Sequence, residues 1–149
     1  MNYYDFNNIL LTLREKNSKL LELERDAVVD DLEIKKYEMF FDLKFPKSYA
    51  DFLKGYGGGY LGYTVVYSLD RSGLFNIKDY VSLKQIKDMQ MLPVIDLETG
   101  DYIGFEVYGN ECTEKLAFWS HESKVKKTLH KDFFEMLVSL GIHNNLDID

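Results

Sequence analysis

Four glycines in six residues, Gly57, Gly58, Gly59 and Gly62, divide this chain of 149 residues into two kinds of pattern. Glycine takes left-handed backbone at no steric cost, so a run of it stops a helix and opens a tight entry to the next element. Before the run, apolar residues recur at steps of three and four. After it, short runs alternate apolar and polar, with turn residues between them.

The helical part reads as three segments. Phe6, Ile9, Leu10 and Leu13 mark the inner side of a first segment from about Tyr4 to Arg25, with a break at Asn17-Ser18. Asp30 then caps a second helix, and Glu33 is placed to reach back as in a capping box. Its inner stripe is Ile34, Tyr37 and Phe41. Phe45-Pro46 starts a third, with Tyr49, Phe52 and Leu53 on one face. Beyond the glycines, strands are expected at Tyr63–Leu69, from Leu92, at Tyr102–Tyr108 and at Lys115–Ser120, with a short helix from Asp79 to Asp88. On the strand from Tyr102, Ile103, Phe105 and Val107 share a face. On the next, Leu116 and Phe118 oppose Ala117 and Trp119. A last helix spans about Leu129 to Leu140, and 143–149 read as a frayed polar tail. Short turns between successive strands imply an antiparallel sheet. Helices at both ends of the chain imply an α+β fold in one domain, with those helices against one face of the sheet.

Composition narrows the class. The single cysteine, Cys112, excludes an internal disulfide and a cysteine-based zinc cage. No apolar run nears the ~20 residues of a membrane span, and Met1–Asp5 has no basic start of a secretory signal, so a cytoplasmic protein without a membrane partner is expected. A formal charge of −7 repels phosphates, which argues against direct nucleic-acid binding and favours a cationic partner.

No motif supplies chemistry. The run Gly57–Gly62 spells G-x-G-x-x-G, but a helix precedes it and a strand follows. A pyrophosphate there would meet the carbonyl end of a helix, the wrong sign of dipole. His121, His130 and His143 have no metal-ligand spacing. Cys112 lies in a loop between Glu111 and Glu114, where negative charge disfavours a thiolate. A site built on His121, Glu122 and Cys112 is the only enzymatic alternative. Neither a cofactor nor a metal is expected.

What stands out is charge and tyrosine. Six acids and no lysine or arginine fall between Asp96 and Glu114, whereas Lys124, Lys126, Lys127 and Lys131 cluster further on. Five of the eleven tyrosines lie between Tyr49 and Tyr67. Acids steer and select a basic partner, and tyrosine buries area at low entropic cost. The expected partner surface is therefore Asp96, Glu98, Asp101, Glu106 and Glu111, with Tyr56 and Tyr60 at its edge.

The stretch Ile34, Glu38, Phe45-Pro46, Tyr49, Phe52-Leu53, Gly57-Gly58-Gly59 resembles the SUKH superfamily of bacterial immunity proteins, relatives of a fungal cell-wall-synthesis regulator. Leu92-Pro93-Val94-Ile95, Gly100-Asp101-Tyr102, Trp119 with His121-Glu122, and Phe133 to Leu137 continue the likeness, which covers about 30–140. Phe41-Asp42 departs from the Leu-Gly often found before the proline segment, and residues 1–25 carry no motif of the family. The resemblance implies a non-enzymatic protein that binds and neutralises one cognate toxin, basic and of nuclease type. The alternative it implies is a regulatory scaffold with several protein partners.

Overall fold

The computed structural model describes residues 1–146 and 148. Helix α1 (Tyr3–Lys16) ends at Asn17, and a 3-10 turn at Ser18–Leu21 leads to strand β1 (Arg25–Asp26). Helices α2 (Asp31–Phe41) and α3 (Lys47–Gly55) follow. Then come β2 (Gly58–Leu61), β3 (Thr64–Val66), α4 (Leu83–Met89), β4 (Met91–Asp96), β5 (Tyr102–Tyr108), β6 (Glu111–Trp119) and β7 (Lys126–Thr128). Helix α5 (Phe133–Leu137) runs into a π-helical turn at Val138–Ile142. The seven strands form one antiparallel sheet in chain order, β1 to β7. That order needs only short connections, except where α2 and α3 are inserted between β1 and β2, and α4 between β3 and β4.

Local chemistry explains the ends of the helices. The Asp30 carboxylate accepts from Glu33 N–H at 2.9 Å, satisfying a donor that α2 leaves unpaired. Glu33 does not reach back. Its carboxylate takes Arg71 instead, at 2.7 Å. Ser82 with Gln85, and Asp132 with Glu135, form full capping boxes on α4 and α5. Beyond α3 the backbone of Gly57 and Gly59 has φ of +104° and +88°, and a Cβ there would meet the carbonyl of Asp26 in β1 and that of Glu24 just before it, respectively.

One core lies between the sheet and the helices. Phe6 and Leu10 of α1, Ile34, Tyr37 and Phe41 of α2, Tyr49, Phe52 and Leu53 of α3, and Phe133 and Phe134 of α5 pack with Val66, Leu92, Ile103, Phe105, Val107 and Leu116 of the sheet. This is the α+β arrangement expected. Strand alternation leaves Tyr102, Gly104, Glu106 and Tyr108 of β5, and Ala117 and Trp119 of β6, on the opposite face. There Met89 of α4 packs on Met91 and Ala117, beside Tyr102 and Trp119.

Several expectations need correction. Tyr63–Leu69 is not one strand: Gly62-Tyr63 turns a hairpin between β2 and β3, and Tyr63 is exposed. The expected helix at Asp79–Asp88 is a 3-10 turn at Ile77–Asp79 followed by the Ser82-capped α4. Lysines 126 and 127 belong to the edge strand β7, where lysine discourages pairing with another chain. The last helix begins at Phe133, not Leu129, because Leu129 N–H still bonds Leu116 O of β6. Of the tail, Asn145 exchanges hydrogen bonds with Ser139 and Ile148 packs partly against the core, so neither is frayed. Residues 147 and 149 lie outside the described residues.

Candidate protein interface

The sheet face away from the main core carries a continuous row of side chains. By strand register, Tyr60 stands opposite Val65, Val65 opposite Asp96, Asp96 opposite Tyr102, Tyr102 opposite Trp119 and Trp119 opposite Lys126. The row thus crosses six strands, β2 to β7. Tyr60, Asp96, Tyr102, Trp119 and Lys126 are all half-buried, and Val65 is buried. Three of the six are aromatic. Tyr60 and Tyr102 are three strand spacings apart, about 14 Å, with the short side chains of Val65 and Asp96 between them.

Carboxylates gather beside the middle of this row, where β4 turns into β5. The Asp96 carboxylate accepts from the Tyr67 hydroxyl at 2.8 Å and from Glu98 N–H at 2.7 Å. The Tyr60 hydroxyl donates to Glu98 at 3.2 Å. The Glu98 charge, and that bond, hold the Tyr60 phenol above its ordinary pKa. Burial, then Asp96, does the same for Tyr102. Both phenols therefore stay uncharged near neutral pH, and the Tyr60 hydroxyl serves as a donor.

Asp101 sits beside them. It accepts the backbone N–H of His121 at 2.9 Å and faces His121 Nδ1 at 2.7 Å. The backbone bond first, and the ring second, lower the Asp101 pKa from its ordinary 3.8. A lowered carboxylate pKa contributes stability above the unfolded value and loses it as pH falls through the folded one. The Asp101 carboxyl is therefore expected to titrate below 3.8 by NMR, and Asp101→Asn to flatten the loss of thermal stability below about pH 4. An equally steep acid loss in the variant would show that the pair contributes nothing.

The expected acidic surface is not one patch. Glu98, Asp101 and Asp96 do share an end of the sheet. Glu111 is exposed at the other end, in the pair with Tyr108 and bridged to Lys44, about 20 Å away along β5. Glu106 is 3% exposed. Its carboxylate accepts from the Thr128 hydroxyl at 3.0 Å and the Tyr108 hydroxyl at 3.1 Å, and faces Lys126 Nζ at 3.5 Å. It cannot present charge to a partner. Tyr56 is likewise buried, at 2% exposure. Its ring stacks on Phe52 and carries the Arg25 guanidinium, and its hydroxyl donates to Tyr60 O at 2.7 Å. The expectation of an edge position for Tyr56 fails because, as the C-cap of α3, it turns its ring inward between Phe52 and Arg25. Tyr102 and Trp119 were not among the expected interface residues. Their signal was the second face of β5 and β6, in which Trp119 already opposes Leu116 and Phe118.

The residues of the enzymatic alternative do not meet. Cys112 is half-buried in β6, not in a loop, and pairs with Val107. Seven residues of strand, about 24 Å, separate it from Trp119 and the His121 turn. Burial first, then Glu114, pushes the Cys112 thiol up to about 12, so it is no nucleophile at neutral pH. Among the described residues no group of three or more His, Cys, Asp or Glu is placed to hold a metal, and no helix is long and apolar enough to cross a membrane.

Comparison with known families places this geometry. The model of the SMI1-KNR4 cell-wall family, SUKH_6, matches residues 31–137, from the first turn of α2 to the end of α5. The chain belongs to the SUKH family. No curated protein matches the chain as a relative. Proteins of the SUKH family generally act by contact with partner proteins and not by catalysis. In this SUKH chain the match ends at α5 and begins after β1, so α1 and β1 lie outside the matched residues, and β1 adds an edge strand next to β2. The Asp26 carboxylate of β1, 6% exposed, ties that strand down by accepting from the Ser68 hydroxyl and the N–H groups of Leu74 and Phe75.

Proposed function

We propose that this SUKH protein is an immunity protein. It binds one cognate toxin, a basic domain of nuclease type, and neutralises it by non-covalent occlusion in the cytoplasm. The observation that carries this reading is the Tyr60–Lys126 row: a half-exposed aromatic strip on a SUKH sheet, with Asp96 within it and Glu98 and Asp101 at the turn beside it. Aromatic residues with low rotamer entropy supply most of the energy at protein interfaces, and flanking charge supplies steering and partner choice. A nuclease site that holds phosphate is electropositive, and its complement is acidic.

The test is capture of the tagged protein at high salt, followed by co-expression with whatever basic domain comes down in one-to-one ratio. The expected result is one partner whose toxicity and nuclease activity are both suppressed. A second reading, a regulatory scaffold with several partners, draws on a different surface. Leu32, Met39 and Phe40 of α2 are exposed, Met39 by 82%, and Leu83 of α4 is exposed nearby. Several partners of moderate affinity, none toxic, would favour that reading over the first.

A further inference from the structure

This protein already uses its rings to seat its own cations. The Arg25 guanidinium lies 4.1 Å from the Tyr56 ring centroid, and Lys78 Nζ lies 4.5 and 4.2 Å from those of Tyr37 and Phe40. Of the three arginines in the sequence, Arg25 is thus occupied and Arg71 is held by Glu33. The Tyr60–Trp119 strip has the same ingredients, and among the described residues no arginine is seated on its rings. Tyr102 and Trp119 are adjacent across β5 and β6, and Asp96 is adjacent to Tyr102 across β4 and β5. Each Asp96 oxygen takes one donor from within the protein, and a carboxylate oxygen can accept two. Glu98 is exposed and is held beside Tyr60 by the hydroxyl of that residue, at the turn next to Asp96. The one cation in the row, Lys126, is at the far end. It donates to Gln90 O at 3.0 Å and faces Glu106.

We propose that this strip is a receptor for an arginine side chain projecting from the partner protein, stacked on Tyr102 and Trp119 and hydrogen-bonded to Asp96 and Glu98. It deepens the toxin-binding reading and rests on it for the identity of the partner. Arginine fits better than lysine for two reasons. Its guanidinium is planar, so it stacks on rings while its edge donors reach a carboxylate. It is also less strongly hydrated than an ammonium, so less is lost on leaving water. Acids on the floor and turn match a cation, and they mismatch an acidic or phosphorylated partner.

Trp119 is the single tryptophan of the chain, so the site reports on itself. The experiment titrates the full-length protein with a six-arginine peptide and, separately, a six-lysine peptide of equal charge, reading Trp119 emission. The expected result is a saturable change with the arginine peptide and binding of the lysine peptide weaker by about tenfold. Tyr102→Ala and Glu98→Gln should each weaken arginine binding by about fivefold to tenfold, with far-UV circular dichroism unchanged. Equal binding of the two peptides, binding without a change in Trp119 emission, or full affinity in Tyr102→Ala each overturns the proposal. The two readings fail separately. A protein that protects no cell but binds arginine through Trp119 loses the toxin reading and keeps the receptor. One that protects equally well as Tyr102→Ala keeps the toxin reading and loses the receptor.

Discussion

Glu106→Lys is expected to destabilise the protein by about 4 kcal/mol, the range found when one partner of a buried ion pair is removed and its like charge is left behind. Glu106 lies in the middle of β5, 3% exposed, with Thr128, Tyr108 and Lys126 turned toward its carboxylate. A lysine there would bury a second ammonium against Lys126 and strand two hydroxyl donors. For a chain of this length that loss lowers Tm by on the order of 10 °C. Glu106→Gln keeps the shape and one acceptor, and should cost only about 1 to 2 kcal/mol. Glu98→Lys, on a turn, and Glu111→Lys, at the start of β6, both exposed, should fall within about 0.5 kcal/mol of the parent. Urea denaturation of the four variants measures this order. If Glu106→Lys unfolds no more easily than Glu98→Lys, the carboxylate is not buried as described. The same series bears on function, since a charge-reversal test of the interface that includes Glu106 would confuse unfolding with lost binding.

The second large effect is expected at Gly62, and Gly109 supplies its control. Both glycines have left-handed backbone, with φ of +56° and +65°. A Cβ at Gly62 would fall inside the carbonyl oxygen of Gly141, next to Leu20, whereas one at Gly109 meets nothing within 4 Å. Gly62→Ala and Gly109→Ala therefore share the conformational cost of about 1 to 2 kcal/mol. Only the first adds a backbone collision. The hairpin β2–β3 is docked there on the C-terminal π-helical turn, through the Tyr63 N–H bond to Gly141 O at 2.9 Å. Two backbones that touch this closely cannot separate without breaking that bond, so the extra cost should reach about 2 to 3 kcal/mol. Parallel denaturant titrations of the two alanine variants isolate it as a difference. Equal destabilisation would mean that the hairpin and the turn are not in contact.

Much of the fold was legible because its signals are local. Asp30 with Glu33 N–H, the glycine stop and the alternation Ile103, Phe105, Val107 each depend on a few neighbouring residues, and each formed where expected; Phe45-Pro46 opens α3 as well, with Pro46 at the cap and not in the first helical position. The failures have a common cause too. β1 and β7 hold two and three residues and carry Arg25, Lys126 and Lys127, so no alternation marks them; they are strands only because β2 and β6 offer them unpaired edges. Leu129 read as helical by its apolarity, but its N–H belongs to Leu116 of β6.

The candidate interface divides in the same way. The sequence alone determined that the chain is acidic between Asp96 and Glu114, that tyrosine is abundant, that Ala117 and Trp119 share a face opposite Leu116, and that the SUKH pattern runs through α2, α3 and the sheet. Only the tertiary structure decided which of these residues meet. Register put Tyr60, Asp96, Tyr102 and Trp119 in one row although up to 59 positions separate them. It also sank Glu106 beneath Thr128 and Tyr108, and enclosed Tyr56 between Phe52 and Arg25. The physical reason is that charge and periodicity are properties of residues and short segments, whereas burial and partnership belong to strand pairing. A shift of one residue in that pairing would turn every side chain of the row to the other face.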